Sequence, residues 1–214
     1  MSYNEREYLM RPKFLLAFAP VLAVAAFAVA PVAAQAAPCF QNSAKGACIT
    51  ASEGLVGELT GGKSKLTSAG GLTVESESFT IEGKAETGGK SKITKAVFDG
   101  NSINLPAPCK ATPELLKTWT DQLSGSESAG YKDTITVPTE GGAIVISGCT
   151  GAYEPYNGTH YYSGEVTGTW TNDSPSTLAF SKAKGLLLGG EATEFTATFD
   201  VTRANGSNIY VSES

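Results

Sequence analysis

The sequence predicts an all-β protein, an antiparallel β-sandwich or irregular β-barrel with one short α-helix at about residues 112–124. Two observations predict this fold class. Short segments rich in Thr, Val, Ile and Phe recur along the chain and end at Gly, Asn, Asp or Ser, which is typical of antiparallel strands joined by tight turns. The four cysteines all follow an N-terminal export pattern, and an even number in an oxidising compartment favours two disulfides.

Residues 1–36 have the layout of a secretory signal peptide. A polar segment with three basic side chains precedes an apolar stretch at residues 14–34, and Ala34-Gln35-Ala36 matches the small-x-small cleavage pattern. The sequence therefore predicts a cleaved signal peptide, secretion, and one mature β-rich domain at residues 37–214. Two alternatives stay open. The apolar run has about the ~20 residues that a membrane anchor needs, and a start at Met10 would give a more usual polar region.

The mature domain is acidic. Cleavage removes three basic and two acidic side chains from the 16 and 21 of the full chain, so the net charge changes from −5 to about −6. Binding to nucleic acid or to an anionic membrane depends on Lys and Arg, so we expect neither. The predicted partner is an extracellular ligand or protein of unknown identity, and the oligomeric state stays open.

The cysteines are expected to pair with near neighbours, Cys39 with Cys48 and Cys109 with Cys149, because such loops close with the least help from the rest of the fold. The two other pairings of four cysteines stay open. The chain has one histidine, His160, which argues against a zinc site. No metal and no cofactor is predicted.

The clearest strand covers residues 193–202, where apolar and polar side chains alternate. It leads through Asn205-Gly206, a pair that favours a tight hairpin turn, into residues 208–211. The apolar run at residues 143–146 predicts a central strand that is buried on both faces. Two further hairpins are predicted, one from residues 72–81 and 92–98, the other from residues 131–137 and 143–147 with a turn between them.

The helix is predicted from a start signal and an apolar face. Thr112-Pro113-Glu114 supplies a capping hydroxyl, a proline at the first helical position and an acid in the first turn. A helix beside a sheet covers an open end of a barrel or sandwich, or it forms the lid of a ligand cavity. The apolar side chains on one helical face are Leu115, Leu116, Trp119 and Leu123.

An octapeptide occurs twice with one difference, at residues 60–67 and 87–94. The first copy completes the string G-x-x-x-x-G-K-S at residues 57–64, which matches the phosphate-binding loop. That chemistry needs a helix directly after the loop, whereas residues 66–71 are poor in helix formers. The sequence therefore favours, in both copies, a Gly-Gly turn that enters a strand.

No catalytic constellation is recognisable in the sequence. His160 is the one imidazole, there is no G-x-S-x-G elbow, and the cysteines are expected to be oxidised, so a binding protein is favoured over an enzyme. A pair of carboxylates would still cleave glycans if their separation were suitable. The candidates are Glu75, Glu77, Glu165, Asp173 and Glu191.

An aromatic cluster at residues 153–170 is the most suggestive feature for binding. On a strand, His160, Tyr162 and Trp170 share one face, and Tyr161 lies on the other. Exposed rings would stack on sugars or anchor a protein partner; packing in the core or across strands is the alternative. The candidate binding residues are Tyr153, Tyr156, His160, Tyr161, Tyr162 and Trp170.

Four features together indicate a family resemblance: the Ala-rich export pattern, the Thr/Gly-rich hairpins, G-A-I-V-I-S-G-C at residues 142–149, and G-E-V-T-G-T at residues 164–169. The chain resembles small secreted β-rich proteins of the actinobacterial type. This resemblance implies secretion and a β-rich fold, and it implies no particular activity. We therefore expect a secreted or cell-surface, non-catalytic binding domain. The alternatives are a secreted carboxylate-dependent hydrolase of glycans and a β-barrel carrier of a small apolar ligand.

Overall fold

The computed structural model describes residues 36–50, 52–103 and 108–213, with the backbone alone at residues 99–103. Residues 1–35, nearly all of the predicted signal peptide, lie outside the described residues. The described chain forms twelve strands and one 3₁₀ helix, Gly151–Tyr156, so the all-β class is confirmed. The strands are β1 Pro38–Gln41, β2 Gly54–Leu59, β3 Ser64–Ser68, β4 Thr73–Glu86, β5 Lys90–Ile103, β6 Lys110–Leu115, β7 Trp119–Ser126, β8 Gly130–Ser147, β9 Gly158–Thr171, β10 Ser176–Leu188, β11 Glu191–Arg203 and β12 Tyr210–Glu213.

The strand pairings form a ring of antiparallel neighbours. In the series β4, β5, β7, β8, β9, β10 and β11, each strand pairs with the next. β11 also pairs with β2 and β3, and both of these pair with β4. β2 and β3 thus occupy the same position in the ring, between β11 and β4. β6 and β7 both pair with β8, at different parts of its length. This connectivity is that of an irregular barrel, one of the two predicted architectures.

Inward side chains fill the ring because apolar and polar residues alternate along its strands. On β11, Phe199 and Val201 are buried, as predicted for residues 193–202. Phe199 packs edge to face on Phe79 of β4 and on Phe180 of β10, with ring centroids 5.2 and 6.2 Å apart. Burial of one such ring stabilises the fold by about 1.5–3 kcal/mol relative to exposure.

A two-stranded sheet covers one end of the ring. β1 pairs with β12, and Phe40 of β1 packs edge to face on Trp170 of β9 with ring centroids 5.8 Å apart. Phe40, Ile209 and Val211 are at most 2 % exposed. Directly after β9, the Asn172 side chain donates to the carbonyl of Val211 at 2.6 Å and accepts from its N–H at 2.8 Å. This capping sheet is therefore fixed to the barrel by apolar contacts and by hydrogen bonds.

The turn predicted at Asn205-Gly206 forms, but the hairpin after it is short. Gly206 has a φ of 81°, and its N–H donates to the carbonyl of Arg203 at 2.8 Å. One bridge, between Thr202 and Asn208, continues the pairing. The chain then leaves β11 because its apolar side chains are buried in the capping sheet, where β12 pairs with β1.

Two other strand predictions are confirmed. Residues 72–81 and 92–98 pair as a hairpin within β4 and β5. The apolar run at residues 143–146 lies between β6 and β9, so it is central in the sheet. Ala143, Ile144 and Ile146 are at most 2 % exposed.

The hairpin predicted between residues 131–137 and 143–147 is wrong. Both segments belong to the single strand β8, whose register with β9 shifts between Val137 and Gly142. The shift is a bulge, in which extra residues bend a strand without reversing it. Gly141 in the bulge is held by the neighbouring strand β7, because its carbonyl accepts a hydrogen bond from the Trp119 indole N–H at 2.8 Å.

The helix predicted at residues 112–124 is also wrong, because this segment forms β6 and β7. Trp119 and Leu123 are four residues apart, a spacing that fits one face of a helix and equally one face of a strand. Asp121 between them is buried as well, which shows a period of two. The strand is favoured because the backbone groups of β8 need partners along its length. Pro113 is tolerated in β6 because that strand pairs with β8 alone.

The disulfides join Cys39 to Cys48 and Cys109 to Cys149, as predicted. The first joins Cys39, in β1 of the capping sheet, to Cys48, and the second joins the segment before β6 to the segment after β8. Two disulfides indicate a non-reducing environment. Within the described part of the chain, no helix has the length and apolar character to cross a membrane.

Candidate functional site

Of the six predicted binding residues, two are buried, three are exposed, and His160 is half-buried. Tyr162 and Trp170 are 6 % and 4 % exposed, so their predicted place in a binding surface is corrected and the core-packing alternative holds. Both lie on the inner face of β9, as the alternation along that strand requires. Tyr162 packs edge to face on Trp119 at 5.8 Å, and Trp170 packs on Phe40.

The exposed group lies on the 3₁₀ helix and at the start of β9. Tyr153 and Tyr156 are 36 % and 39 % exposed, and their ring centroids lie 6.5 Å apart with 30° between the ring planes. Tyr161, on the outer face of β9, is 45 % exposed. His160 Nε2 lies 3.1 Å from the carbonyl oxygen of Tyr156, which joins the strand to the helix. We call Tyr153, Tyr156 and Tyr161 the tyrosine surface.

The loop that carries Tyr153 and Tyr156 is closed at its base. Asn157 Oδ1 accepts from the N–H of Cys149, and Asn157 Nδ2 donates to the carbonyl of the same residue, both at 2.9 Å. Cys149 is fixed in turn by its disulfide to Cys109. Because both ends of the loop are held, its backbone has less conformational entropy to lose when the two rings bind a ligand.

An apolar cavity of about 80 Å³ lies inside the barrel. Its two aromatic donors are satisfied within the protein, since the Tyr162 hydroxyl donates to the carbonyl of Glu114 at 3.1 Å and the Trp119 indole donates to Gly141. Burial raises the pKa of the Tyr162 phenol. The cavity is smaller than the roughly 300 Å³ at which pockets for drug-sized ligands begin. Its apolar lining includes Val74, Phe79, Ile144, Val166, Phe195 and Phe199.

Most carboxylates considered for glycan hydrolysis are engaged on the outer surface. Glu75 lies 2.6 Å from Lys65 Nζ, and this hydrogen-bonded ammonium lowers the pKa of the Glu75 carboxyl. Glu77 lies 3.0 Å from Lys63 Nζ. Glu165 accepts a hydrogen bond from a threonine hydroxyl, and Glu191 accepts one from a backbone N–H.

The string at residues 57–64 does not form a phosphate-binding loop. It runs from β2 through a turn into β3, with Gly61 and Gly62 at positive φ, and no helix follows it. Lys63, which would contact phosphate, forms an ion pair with Glu77 instead. The predicted turn and strand are therefore confirmed.

Two aspartates outside the predicted set lie inside the barrel. Asp121 of β7 and Asp133 of β8 are 8 % and 2 % exposed, and the Ser91 hydroxyl donates to Asp121 Oδ2 at 2.5 Å. Burial raises the pKa of Asp121 to about 6, and burial together with the charge of Asp121 raises the pKa of Asp133 well above its usual range. The sequence signal was an acid on the apolar side of an alternating strand, as in Tyr131-x-Asp133-x-Ile135.

The described residues contain no group of three or more His, Cys, Asp or Glu side chains that could hold a metal ion. Comparisons with known protein families, with curated proteins and with solved structures found no match. Function is therefore inferred from the geometry of the tyrosine surface, the apolar cavity and the buried aspartates.

Proposed function

We propose that the mature chain is an exported, non-catalytic binding domain that contacts a glycan through the tyrosine surface. The observation that most supports this proposal is the pair of exposed rings of Tyr153 and Tyr156, whose planes lie 30° apart. Both rings lie on a loop that is closed by Asn157 and a disulfide. Tyrosine offers an apolar face and a polar hydroxyl with few rotatable bonds, so it binds at a low cost in entropy. Export is supported by the signal pattern at residues 1–36 and by the disulfides.

The size of the tyrosine surface favours a sugar over a large protein partner. Stable protein interfaces bury about 1,200–2,000 Å² in total, and they need more contact area than three separate rings supply. Large apolar side chains are sparse on the described surface: besides the three tyrosines, the exposed ones are Val97, Leu116 and Leu187. The acidic net charge also disfavours anionic ligands.

The test is retention of the mature, disulfide-bonded protein on a printed oligosaccharide array, compared with the variant Tyr153→Ala/Tyr156→Ala. Loss of a ring at the centre of a contact costs at least about 1 kcal/mol, so the double variant is expected to bind about 30-fold more weakly. The matched control is Val97→Ala/Leu116→Ala, which removes similarly exposed apolar side chains elsewhere and should leave binding unchanged.

Two outcomes would contradict the proposal. Equal retention of the wild type and the tyrosine variant would show that the tyrosine surface is not the contact. Silence on the array, together with a protein captured from the native surroundings by the wild type and lost by the tyrosine variant, would keep the surface and replace the glycan with a protein partner.

A second candidate function is the carriage of a small apolar molecule, which is favoured by the apolar cavity inside the barrel. The cavity volume of about 80 Å³ ranks this candidate below surface binding, because ligand pockets are usually larger than about 300 Å³. Native mass spectrometry of protein purified from its own source distinguishes the two. A bound apolar molecule that survives the Tyr153→Ala/Tyr156→Ala change would support carriage.

A further inference from the structure

The interior of the barrel holds two carboxyl groups near the capping sheet. Asp121 and Asp133 line a cavity of about 30 Å³ together with Phe40 and Trp170, which join the capping sheet to the barrel. Asp121 is directly opposite Ser91 on β5, and Asp133 is directly opposite Gly168 on β9. One carboxyl group thus has a hydroxyl partner, and the other faces a residue without a side chain.

Each of the two carboxyl groups has a buried oxygen without a hydrogen-bond partner among the described residues. Ser91 donates to Asp121 Oδ2 at 2.5 Å, whereas Asp121 Oδ1 and Asp133 Oδ1 are both buried and have no partner among the described residues. An ionised carboxylate can only accept hydrogen bonds, whereas a protonated one can also donate. A proton held on either group would turn that carboxyl into a hydrogen-bond donor and would remove one of the two buried charges.

No positive charge in the lining of the described cavity would balance the negative charge of ionised Asp121 and Asp133. Glu82 is the only other titratable residue that lines the described cavity, and its carboxylate lies 2.5 Å from Lys95 Nζ on the surface. Glu86, whose negative charge also acts on Asp121, lies 2.6 Å from Lys92 Nζ. No Lys, Arg or His lines this cavity in the described part of the chain. Two ionised carboxylates in such surroundings are strongly unfavourable.

We propose that Asp121 and Asp133 form a proton-binding pair, which holds at least one proton at neutral pH in the folded protein and makes the barrel more stable in acid. A divalent cation is a poorer occupant, because calcium takes 6–8 oxygen ligands. The side chains buried in the cavity offer it two carboxyl groups and the Ser91 hydroxyl, since the Glu82 carboxylate is engaged by Lys95 at the surface. The pair lines the same cavity as Phe40 and Trp170, which join the capping sheet to the barrel.

The direction of the pH effect follows from the buried positions of both carboxyl groups. Burial raises the pKa of Asp121 to about 6, and burial together with the charge of Asp121 raises the pKa of Asp133 well above its usual range. In the unfolded chain both groups titrate near ~3.9. Between about pH 4 and pH 6 the folded state thus binds more protons than the unfolded state. The stabilisation is complete below about pH 4 and is lost as the pH rises through 6 and beyond.

The test is urea unfolding of the mature, disulfide-bonded protein at several pH values between about 4 and 8. For each extra proton that the folded state holds, the unfolding constant should rise about tenfold per pH unit, which amounts to roughly 100-fold across the two pH units of Asp121. The variant Asp133→Asn should flatten this dependence, because the neutral amide supplies a donor without a proton equilibrium. The control Glu82→Gln changes a carboxylate that lines the same cavity, and it should keep the wild-type slope.

Three results would overturn the proposal. The first is a difference in slope between wild type and Asp133→Asn that is absent or of the opposite sign. The second is stabilisation of the wild type at pH 8 by added calcium or magnesium, which would identify a cation site. The third comes from infrared spectra of the wild type, which also serve if Asp133→Asn fails to fold. A protonated-carboxyl band at neutral pH that disappears on unfolding would support the pair, and the absence of this band would refute it.

Discussion

Gly142→Ala is expected to destabilise the protein, because the Tyr162 ring occupies the space that the new methyl group would need. Gly142 of β8 pairs directly with Tyr162 of β9, and a Cβ added to it would overlap Cζ and Oη of that ring. The position has no positive φ, so the backbone itself would accept alanine. The ring is held in place by its hydrogen bond to Glu114 and by its edge-to-face contact with Trp119.

The magnitude combines overpacking with the loss of that hydrogen bond. Forcing an extra methyl group into a packed interior costs about 1–3 kcal/mol, and the Tyr162 hydroxyl bond contributes about 1 kcal/mol. Without the clash, replacement of a glycine by alanine at a compatible backbone position would stabilise by about 0.4–1 kcal/mol. The free energy of unfolding is therefore expected to fall by about 2–4 kcal/mol. A fall would indicate the clash, because alanine without a clash would raise the free energy of unfolding.

The assay is a double-mutant cycle in urea unfolding, with Gly142→Ala measured in the wild type and in a Tyr162→Leu background. Leucine lacks the ring atoms that overlap the methyl group, so Gly142→Ala should be nearly neutral or stabilising there. The coupling energy between the two sites should then be about 2–4 kcal/mol, which lies at or above the upper end of the roughly 0.5–3 kcal/mol usual for residues in direct contact. An equal cost of Gly142→Ala in both backgrounds would refute the role of the ring.

Two further predictions concern the covalent and hydrogen-bonded closures. Replacing both members of the Cys109–Cys149 disulfide by serine should lower the free energy of unfolding by about 4 kcal/mol, and the same change at Cys39–Cys48 should lower it by about 3 kcal/mol. The first loss is larger because the longer loop restricts the unfolded chain more. Equal losses in urea unfolding, or a larger loss at Cys39–Cys48, would contradict this. Asn157→Ala should cost about 1–3 kcal/mol and should speed hydrogen exchange at the Cys149 amide, whereas unchanged exchange would show that the loop does not depend on this clamp.

Local patterns in the sequence determined much of the fold. The alternation at residues 193–202, the hairpin of residues 72–81 and 92–98, and the two disulfides are all as predicted. Each depends on side-chain period, turn residues or loop length, which are properties of neighbours along the chain. The face assignments on β9 also followed from its period of two, which placed Tyr161 opposite Tyr162.

The tertiary structure alone decided which candidates are accessible. The same alternation that groups Tyr162 with Trp170 does not say whether their face is inside or outside, and the closure of the barrel puts both inside. Closure itself depends on pairing between β2 and β11, which are more than a hundred residues apart in the chain. No local pattern reports such a contact, because its free energy comes from burial against partners that are distant in sequence.

The fate of residues 112–124 shows the same limit. The spacing of Trp119 and Leu123 fits a helix and a strand equally, and the capping signal at residues 112–114 favoured the helix. The segment forms strands because the backbone groups of β8 need hydrogen-bond partners along its length. On strand β7 the Asp121 side chain points inward, and its charge acts on the Asp133 carboxyl group. The sequence by itself therefore determined most of the strands, the Gly-Gly and Asn-Gly turns and the disulfides. The strands β6 and β7, the uninterrupted course of β8, the interior cavity, the tyrosine surface and the buried acid pair depend on how the strands close around one another.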